Sequence, residues 1–106
     1  MDVTTTWFRK HRGTTSPFTV SLVVRPSGED FACEVRCESN DGVRSRDIFG
    51  VSSLQALVLG LAFLRAEVEN SVRYGGAEYY WSHEAAVEGT APLSVADMFG
   101  SVGGRL

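Results

Sequence analysis

The longest apolar stretch of the chain follows a helical period. Apolar side chains recur every three or four positions between residues 54 and 72, and this spacing places them on one face of a helix. Ser52 is a suitable N-cap, and Gln55 can reach back to the Ser52 amide to complete a capping box. The pattern predicts a helix over residues 53–74, with a core stripe of Leu54, Leu57, Val58, Leu61, Leu64, Val68 and Val72.

The opposite side of this helix is apolar as well, because it carries Ala56, Leu59, Phe63 and Ala66. A helix that is apolar around its circumference is buried on both sides. The uninterrupted apolar run is shorter than the roughly 20 residues that span a bilayer, so no membrane span is predicted. We therefore expect the C-terminal part of the chain, or another subunit, to cover the side that carries Leu59 and Phe63.

Four segments before the helix have the pattern of strands. From Phe18 to Val24, apolar residues alternate with smaller or polar ones, which is typical of a half-buried strand. Asn40, Asp41 and Gly42 favour a three-residue hairpin loop with a left-handed glycine. The predicted strands cover residues 3–12, 18–24, 31–38 and 43–49.

The hairpin register assigns the faces of the last two strands. With a three-residue loop, Glu38 opposes Arg44, and the charged face carries Glu34, Arg36, Glu38, Arg44 and Arg46. The other face then carries Phe31, Cys33, Val35, Val43 and Phe49, with Asp47 as a lone carboxylate among them. We expect the long helix to cover this apolar face, as in antiparallel sheets whose other face is exposed to solvent.

Weaker signals follow the helix. Residues 78–81 can form a short fifth strand, residues 83–90 read as a loop, and residues 94–100 resemble one capped helical turn. The predicted fold class is α+β: an antiparallel four-stranded meander with one long helix packed on one face, then a short fifth strand and a C-terminal helical turn. Residues 1–100 form a single domain in this prediction, and residues 101–106 form a flexible C-terminal tail.

Charge and cysteine usage narrow the class of protein. Thirteen acidic residues against ten Lys and Arg give a formal net charge of −3, which argues against generic nucleic-acid binding. Cys33 and Cys37 lie about 13 Å apart if extended, too far for a disulfide. Reduced thiols and the absence of a signal-peptide pattern near Met1 predict a cytoplasmic protein.

No catalytic, cofactor-binding or metal-ligating residue is predicted. Cys33 and Cys37 do not have the spacing of a zinc knuckle with His11 or His83. Phosphate-binding loops, metalloprotease motifs and nucleophile elbows are absent from the sequence. The chain is therefore not expected to be an enzyme.

An aromatic cluster, Tyr79, Tyr80 and Trp81, is the clearest candidate for a contact surface besides Leu59 and Phe63. In a strand, Tyr79 and Trp81 share one face while Tyr80 takes the other. Tyr and Trp commonly anchor protein interfaces. The alternative is that they are core residues of an edge strand. The candidate interaction residues are Leu59, Phe63, Tyr79, Tyr80 and Trp81.

The junction between the fourth strand and the helix carries a motif, Gly-Val-x-Ser-Leu-Gln-Ala-Leu, at residues 50–57. It resembles the hallmark of a family of small uncharacterised bacterial domains. The resemblance covers roughly residues 18–82 and implies a few strands, this helix and an aromatic strand. That family has no assigned activity, so the resemblance implies no site residue.

The leading functional hypothesis is a non-enzymatic protein-interaction module, with an immunity or antitoxin role as its most concrete form. One alternative is a structural homodimer that joins through the Leu59 and Phe63 side of the helix. Another is a small ligand-binding protein or enzyme that uses a concavity between the sheet and the C-terminal segment.

Overall fold

The computed structural model describes residues 2–100, so the predicted tail at residues 101–106 lies outside the described part. The described chain has an α+β fold, as predicted, with five strands and three helices. In order these are β1 (Asp2–His11), β2 (Thr14–Ser27), β3 (Asp30–Ser39), β4 (Gly42–Gly50), α1 (Ser53–Arg73), β5 (Glu78–Tyr80), α2 (His83–Glu88) and α3 (Val95–Phe99).

The strands form one antiparallel sheet with the order β4-β3-β2-β1-β5. The first four strands are the predicted meander, and α1 crosses one face, where it contacts β2, β3 and β4. Strand β5 pairs with the outer side of β1, where Phe8 opposes Tyr80 and Arg9 opposes Tyr79. The edges of the sheet are therefore β4 and β5, at opposite ends.

Strand β2 begins four residues earlier than predicted and contains two prolines. Pro17 pairs with Phe8 of β1, in a part of β2 that β3 does not reach. Pro26 pairs with Phe31 of β3, beyond the end of the β1 pairing. Each proline thus has a partner strand on one side only, where its missing N–H need not interrupt a second ladder.

The buried side of α1 differs from the predicted stripe. The helix buries Ala56, Gly60, Leu64 and Val68, whereas Leu54, assigned to the core, is 68 % exposed. Ala56, which was assigned to the outer side, is fully buried. Small residues at positions 56 and 60 let the helix backbone approach the sheet closely. A Cβ on Gly60 would lie 2.5 Å from the Cys33 Sγ atom.

The start of α1 is built much as the sequence predicts, with one difference. The Ser52 hydroxyl accepts a hydrogen bond from the Gln55 amide at 3.1 Å. The Gln55 side chain, however, accepts from the Val51 amide at 2.7 Å and not from that of Ser52. The first helical turn rests on Gly50, where a Cβ would meet the Ala56 amide nitrogen at 2.5 Å.

The predicted register of the β3–β4 hairpin was wrong by one residue. Ser39 pairs with Gly42, so the loop has two residues, Asn40 and Asp41. Because side chains alternate along a strand, this shift exchanges the two faces of β4. The α1 side of β4 carries Arg44, Arg46 and Ile48, and the opposite face carries Val43, Ser45, Asp47 and Phe49.

Asp47 therefore does not lie on the helix side of the sheet. It faces Arg25 of β2 across the open face, with an Nη2–Oδ2 distance of 3.1 Å. The same guanidinium approaches Glu34 at 3.4 Å. This cluster accounts for the carboxylate as part of a charged sheet face.

The segment predicted as a loop after β5 contains a short helix. Ser82 caps α2 by accepting from the Ala85 amide, and Gly89 ends it in the left-handed conformation, with φ of 72°. Helix α2 contacts β1, β2 and β5. His83 packs against the Phe8 ring, which lies on the sheet face opposite α1.

The C-terminal helical turn was predicted correctly and is α3. Ser94 and Asp97 form a capping box at its start, and hydrogen bonds from Ser94 hold the pKa of Asp97 below its ordinary value. The Phe99 ring lies 5.5 Å from the Trp7 ring, and the Arg65 guanidinium donates to the Gly100 carbonyl at 2.6 Å. Helix α3 thus packs beside α1, over β1.

Candidate functional site

A pocket of about 350 Å³ lies between the second half of α1 and the β3–β4 hairpin. The reversed faces of β4 create it, since they bring arginines rather than apolar side chains under the helix. One wall of the pocket is apolar and consists of Phe18, Val35, Phe63, Leu64 and Val68. The polar groups around it include Arg9, Cys37, Arg44, Arg46, Ser71 and Tyr79. We call this the arginine pocket.

Arg9 lines the arginine pocket, and two contacts orient its side chain. Its guanidinium lies 5.0 Å from the centre of the Phe18 ring and donates from Nη2 to Asp41 at 2.9 Å. The side chain is only 15 % exposed, and no acceptor within residues 2–100 reaches its buried Nε. An unpaired buried donor costs about 1–3 kcal/mol, so this N–H has unused capacity for a hydrogen bond.

Arg44 and Arg46 reach the pocket from β4. The Arg46 guanidinium lies 5.3 Å from the centre of the Phe63 ring. Within the described chain, neither arginine forms a salt bridge. Two carboxylates, Asp41 and Glu67, also line the pocket. With three guanidinium groups against these two, the local charge is positive although the chain is acidic overall.

The remaining polar groups of the pocket are neutral at neutral pH. Burial raises the pKa of the Cys37 thiol, and Glu67 raises it further, against a smaller opposing effect of Arg44 and Arg9. Burial also raises the pKa of Tyr79, whose hydroxyl shares a 2.9 Å hydrogen bond with Ser71. A protonated thiol is a poor nucleophile. The arrangement is therefore suited to holding an anion by hydrogen bonds.

The structure separates the predicted aromatic cluster. Tyr79 is 1 % exposed and packs edge-on against Trp7 and Phe18. Tyr80 is also buried, whereas Trp81 is 59 % exposed. Tyr79 and Tyr80 are thus core residues that a partner cannot contact, and of the three only Trp81 remains accessible.

Phe63 lies near β4, because Arg46 stacks on its ring, and Leu59 precedes Phe63 by one helical turn, whereas Trp81 follows β5. Phe63 is half-buried under Arg46, and Leu59 is exposed. Because β4 and β5 are opposite edges of the sheet, these residues and Trp81 do not form one surface. The predicted interaction residues therefore belong to two separate places.

A group of exposed apolar side chains surrounds the junction between β4 and α1. Val51 and Leu54 are more than two-thirds exposed, and Phe49 is more than half exposed. Leu59 follows on the exposed side of the second helical turn. We call these four residues the junction surface: Phe49, Val51, Leu54 and Leu59. Exposed apolar side chains that occur together mark contact sites in soluble proteins more often than single ones do, and these four come from the end of β4, the turn after it and the first turns of α1.

The side chains of residues 2–100 indicate no metal site and no membrane-spanning helix. No group of three or more His, Cys, Asp or Glu side chains there is placed to hold a metal ion. Cys33 is fully buried and Cys37 is half-buried, and both are free thiols. None of the helices in this range is long and apolar enough to cross a membrane.

Sequence reasoning missed the arginine pocket because it placed Arg44 and Arg46 on the wet face of the sheet. No local signal distinguishes the two loop lengths, because neither Asn40 nor Asp41 has the positive φ that two-residue hairpin turns usually need. Comparisons of the chain with curated proteins and with solved structures gave no match. Residues 6–91 match a family described as "Domain of unknown function (DUF6968)". Since the match covers most of the 106 residues, the chain belongs to this family of uncharacterised domains.

Proposed function

We propose that the chain is a protein-interaction module that binds a different protein at the junction surface and along β4. The observation that carries the proposal is the exposure of Phe49, Val51, Leu54 and Leu59 around the start of α1. A partner that covers these side chains would gain roughly 25 cal/mol of binding free energy for each Å² of apolar area removed from water. A partner that covers them is therefore favoured.

The free edge of the sheet supports the same surface. Strand β4 is nine residues long and, within residues 2–100, pairs only with β3, so one side of its backbone has no strand partner in that range. Extended segments of a partner bind such edges through main-chain hydrogen bonds. Arg44 and Arg46 add positive charge next to the edge, which favours a segment that carries acidic side chains.

Charge also distinguishes a foreign partner from a second copy. In a two-fold antiparallel pairing that aligns Gly42 of one copy with Gly50 of the other, Arg46 lies opposite Arg46. Shifting the register by two residues sets either Arg44 opposite Arg46 or Asp47 opposite Asp47. Like charges directly opposite each other destabilise strand pairs. Homodimer formation through β4 is therefore disfavoured, whereas an acidic segment avoids the conflict.

More specifically, we propose an immunity-like or antitoxin-like role in the bacterial cytoplasm. In this role the module binds a harmful partner and covers its active surface. The two free thiols support a reducing compartment. The net charge of −3 and the exposed junction surface support this form of the proposal. This form rests on analogy with such binding proteins and on no catalytic residue.

The proposal is tested by parallel affinity capture from host cells with three baits: the wild type, Leu54→Glu and Val87→Glu. Val87 lies on α2 and is 65 % exposed, so it matches Leu54 in chemistry and exposure but lies away from the junction surface. We expect the wild-type and Val87→Glu baits to capture a protein that the Leu54→Glu bait does not capture. That protein should then bind the purified wild type at least about tenfold more tightly than Leu54→Glu.

The control for this experiment is stability. Both substitutions are on exposed side chains, so each should change the free energy of unfolding by less than about 0.5 kcal/mol. If the three baits retain the same proteins in the same amounts, the junction surface is not the binding site.

A further inference from the structure

We propose that the arginine pocket binds a small organic anion, in which a carboxylate or phosphate group is joined to an apolar body. The inference goes beyond the interaction proposed above, since the pocket lies under the second half of α1 and contains none of the four junction residues. It rests on three features: unpaired guanidinium groups, an apolar wall and a volume that suits a small ligand.

The guanidinium groups provide the site for the anionic group. Arg44 and Arg46 have no salt-bridge partner within residues 2–100, and the Arg9 Nε has no acceptor there. Guanidinium groups bind carboxylates and phosphates through short, charge-assisted hydrogen bonds, often two at a time. Glu67 and Asp41 reduce the positive charge of the pocket without cancelling it, and Arg9 already engages Asp41. An added anion would give the buried Arg9 Nε the acceptor that it lacks and would replace water at the exposed guanidinium groups of Arg44 and Arg46.

The apolar wall of the pocket determines what is attached to the anionic group. It is formed by side chains of the core, among them Phe18, Val35 and Val68. Phe63 continues this wall toward Arg46. An inorganic ion would leave this apolar wall in contact with water, whereas an aromatic or aliphatic body would cover it. The volume of about 350 Å³ lies within the range of known ligand pockets, about 300–1,000 Å³.

The pocket is also organised before any ligand binds. The Phe18 ring and Asp41 fix the Arg9 guanidinium. The hydrogen bond between Ser71 and Tyr79 fixes two hydroxyl groups on the adjoining wall. Groups that are already held in place lose little conformational entropy on binding. Cys37 lines the same pocket, so its thiol can report whether the space is occupied.

The test is a fluorescence titration with 8-anilinonaphthalene-1-sulfonate, an organic anion with an aromatic body. We expect saturable binding of one molecule per chain, and about tenfold weaker binding for each of Arg44→Gln and Arg46→Gln. Arg36→Gln is the matched control, because Arg36 lies on the opposite face of β3 and is exposed. Bound probe should also slow alkylation of Cys37 by iodoacetamide.

Two further comparisons identify the site and the ligand chemistry. Leu54→Glu should bind the probe as the wild type does, so this result is independent of whether the junction surface binds a protein. Phenylacetate and phenyl phosphate serve as competitors of the probe. Displacement by phenylacetate alone indicates a carboxylate ligand, and displacement by phenyl phosphate alone indicates a phosphate ligand. Displacement by both compounds supports a site that accepts either anionic group. Binding that does not saturate, that neither competitor reverses, or that Arg36→Gln weakens as much as Arg44→Gln does would overturn the proposal.

Discussion

Replacing Gly50 by alanine is expected to lower the free energy of unfolding by about 3 kcal/mol, at the upper end of the cost of overpacking. A methyl group on Gly50 would lie 2.5 Å from the backbone nitrogen of Ala56 and 2.9 Å from its Cα. These are backbone atoms of the first turn of α1, so a rotamer change cannot relieve the contact. The helix would have to move away from the sheet, and the packing of the fully buried Ala56 would loosen with it.

Chemical denaturation with urea measures this effect, with Ser53→Ala as the control. Ser53 is the first residue of α1 and is exposed, so its replacement should change stability by less than about 0.5 kcal/mol. A Gly50→Ala variant that is as stable as the Ser53→Ala variant would show that the helix start does not rest on Gly50. The expected result gives a physical reason for the glycine that opens the strand-to-helix motif.

Gly60→Ala is expected to destabilise the protein by about 1–2 kcal/mol, although alanine is the better helix former. In an exposed helix interior the same substitution would add about 1 kcal/mol. Here the new methyl group would lie 2.5 Å from Sγ and 3.0 Å from Cβ of Cys33. Cys33 is fully buried in the core, so it has no free space to move into, and the overpacking cost of about 1–3 kcal/mol exceeds the helix gain.

A double-mutant cycle identifies the contact responsible for this loss. Cys33→Ala removes the sulfur atom that meets the new methyl group, so Gly60→Ala should cost less in the Cys33→Ala background than in the wild type. We expect a coupling energy of about 1 kcal/mol, with a residual cost because the Cys33 Cβ remains close. Strictly additive effects, or a stabilised Gly60→Ala protein, would mean that α1 and β3 are not in contact at this position.

These two glycines also explain why the sequence predicted the elements of the fold better than their packing. Periodicity and capping identified the four-stranded meander, α1 and α3 from local signals alone. The buried side of α1, however, depends on how closely the helix approaches β3. A hydrophobicity pattern favours Leu54 and Val72 over Ala56 and Gly60, because it scores apolar area and does not register the absence of a side chain.

The candidate sites depended on features that local sequence does not determine. A change of one residue in the β3–β4 loop moved Arg44 and Arg46 from the solvent-exposed face to the pocket. Asn40-Asp41-Gly42 resembles a three-residue loop with a positive-φ glycine, although Ser39 pairs with Gly42. The pairing of β5 with β1 joins residues about seventy positions apart, so the burial of Tyr79 could not be read locally. By contrast, Ser82 and Gly89 are ordinary helix-cap signals, and weighing them would have predicted α2.

The two proposals use different parts of the same helix. The first turns of α1 present Leu54 and Leu59 to solvent, whereas the second half covers the arginine pocket through Phe63 and Val68. Helix α3 contacts α1 and packs Phe99 against Trp7 of β1, yet it leaves the junction surface exposed. Within residues 2–100, the segment after β5 thus covers part of the helix layer and leaves the junction surface exposed.

We propose that the junction surface binds a different protein and not a second copy of this chain. Sedimentation velocity of the purified wild type, from low to high micromolar concentration, tests it most directly. We expect a single species with the mass of one chain across the series, since self-pairing of β4 sets like charges against each other. A concentration-dependent dimer in the wild type that Leu54→Glu converts to a monomer would contradict the claim and identify the surface as a homodimer interface.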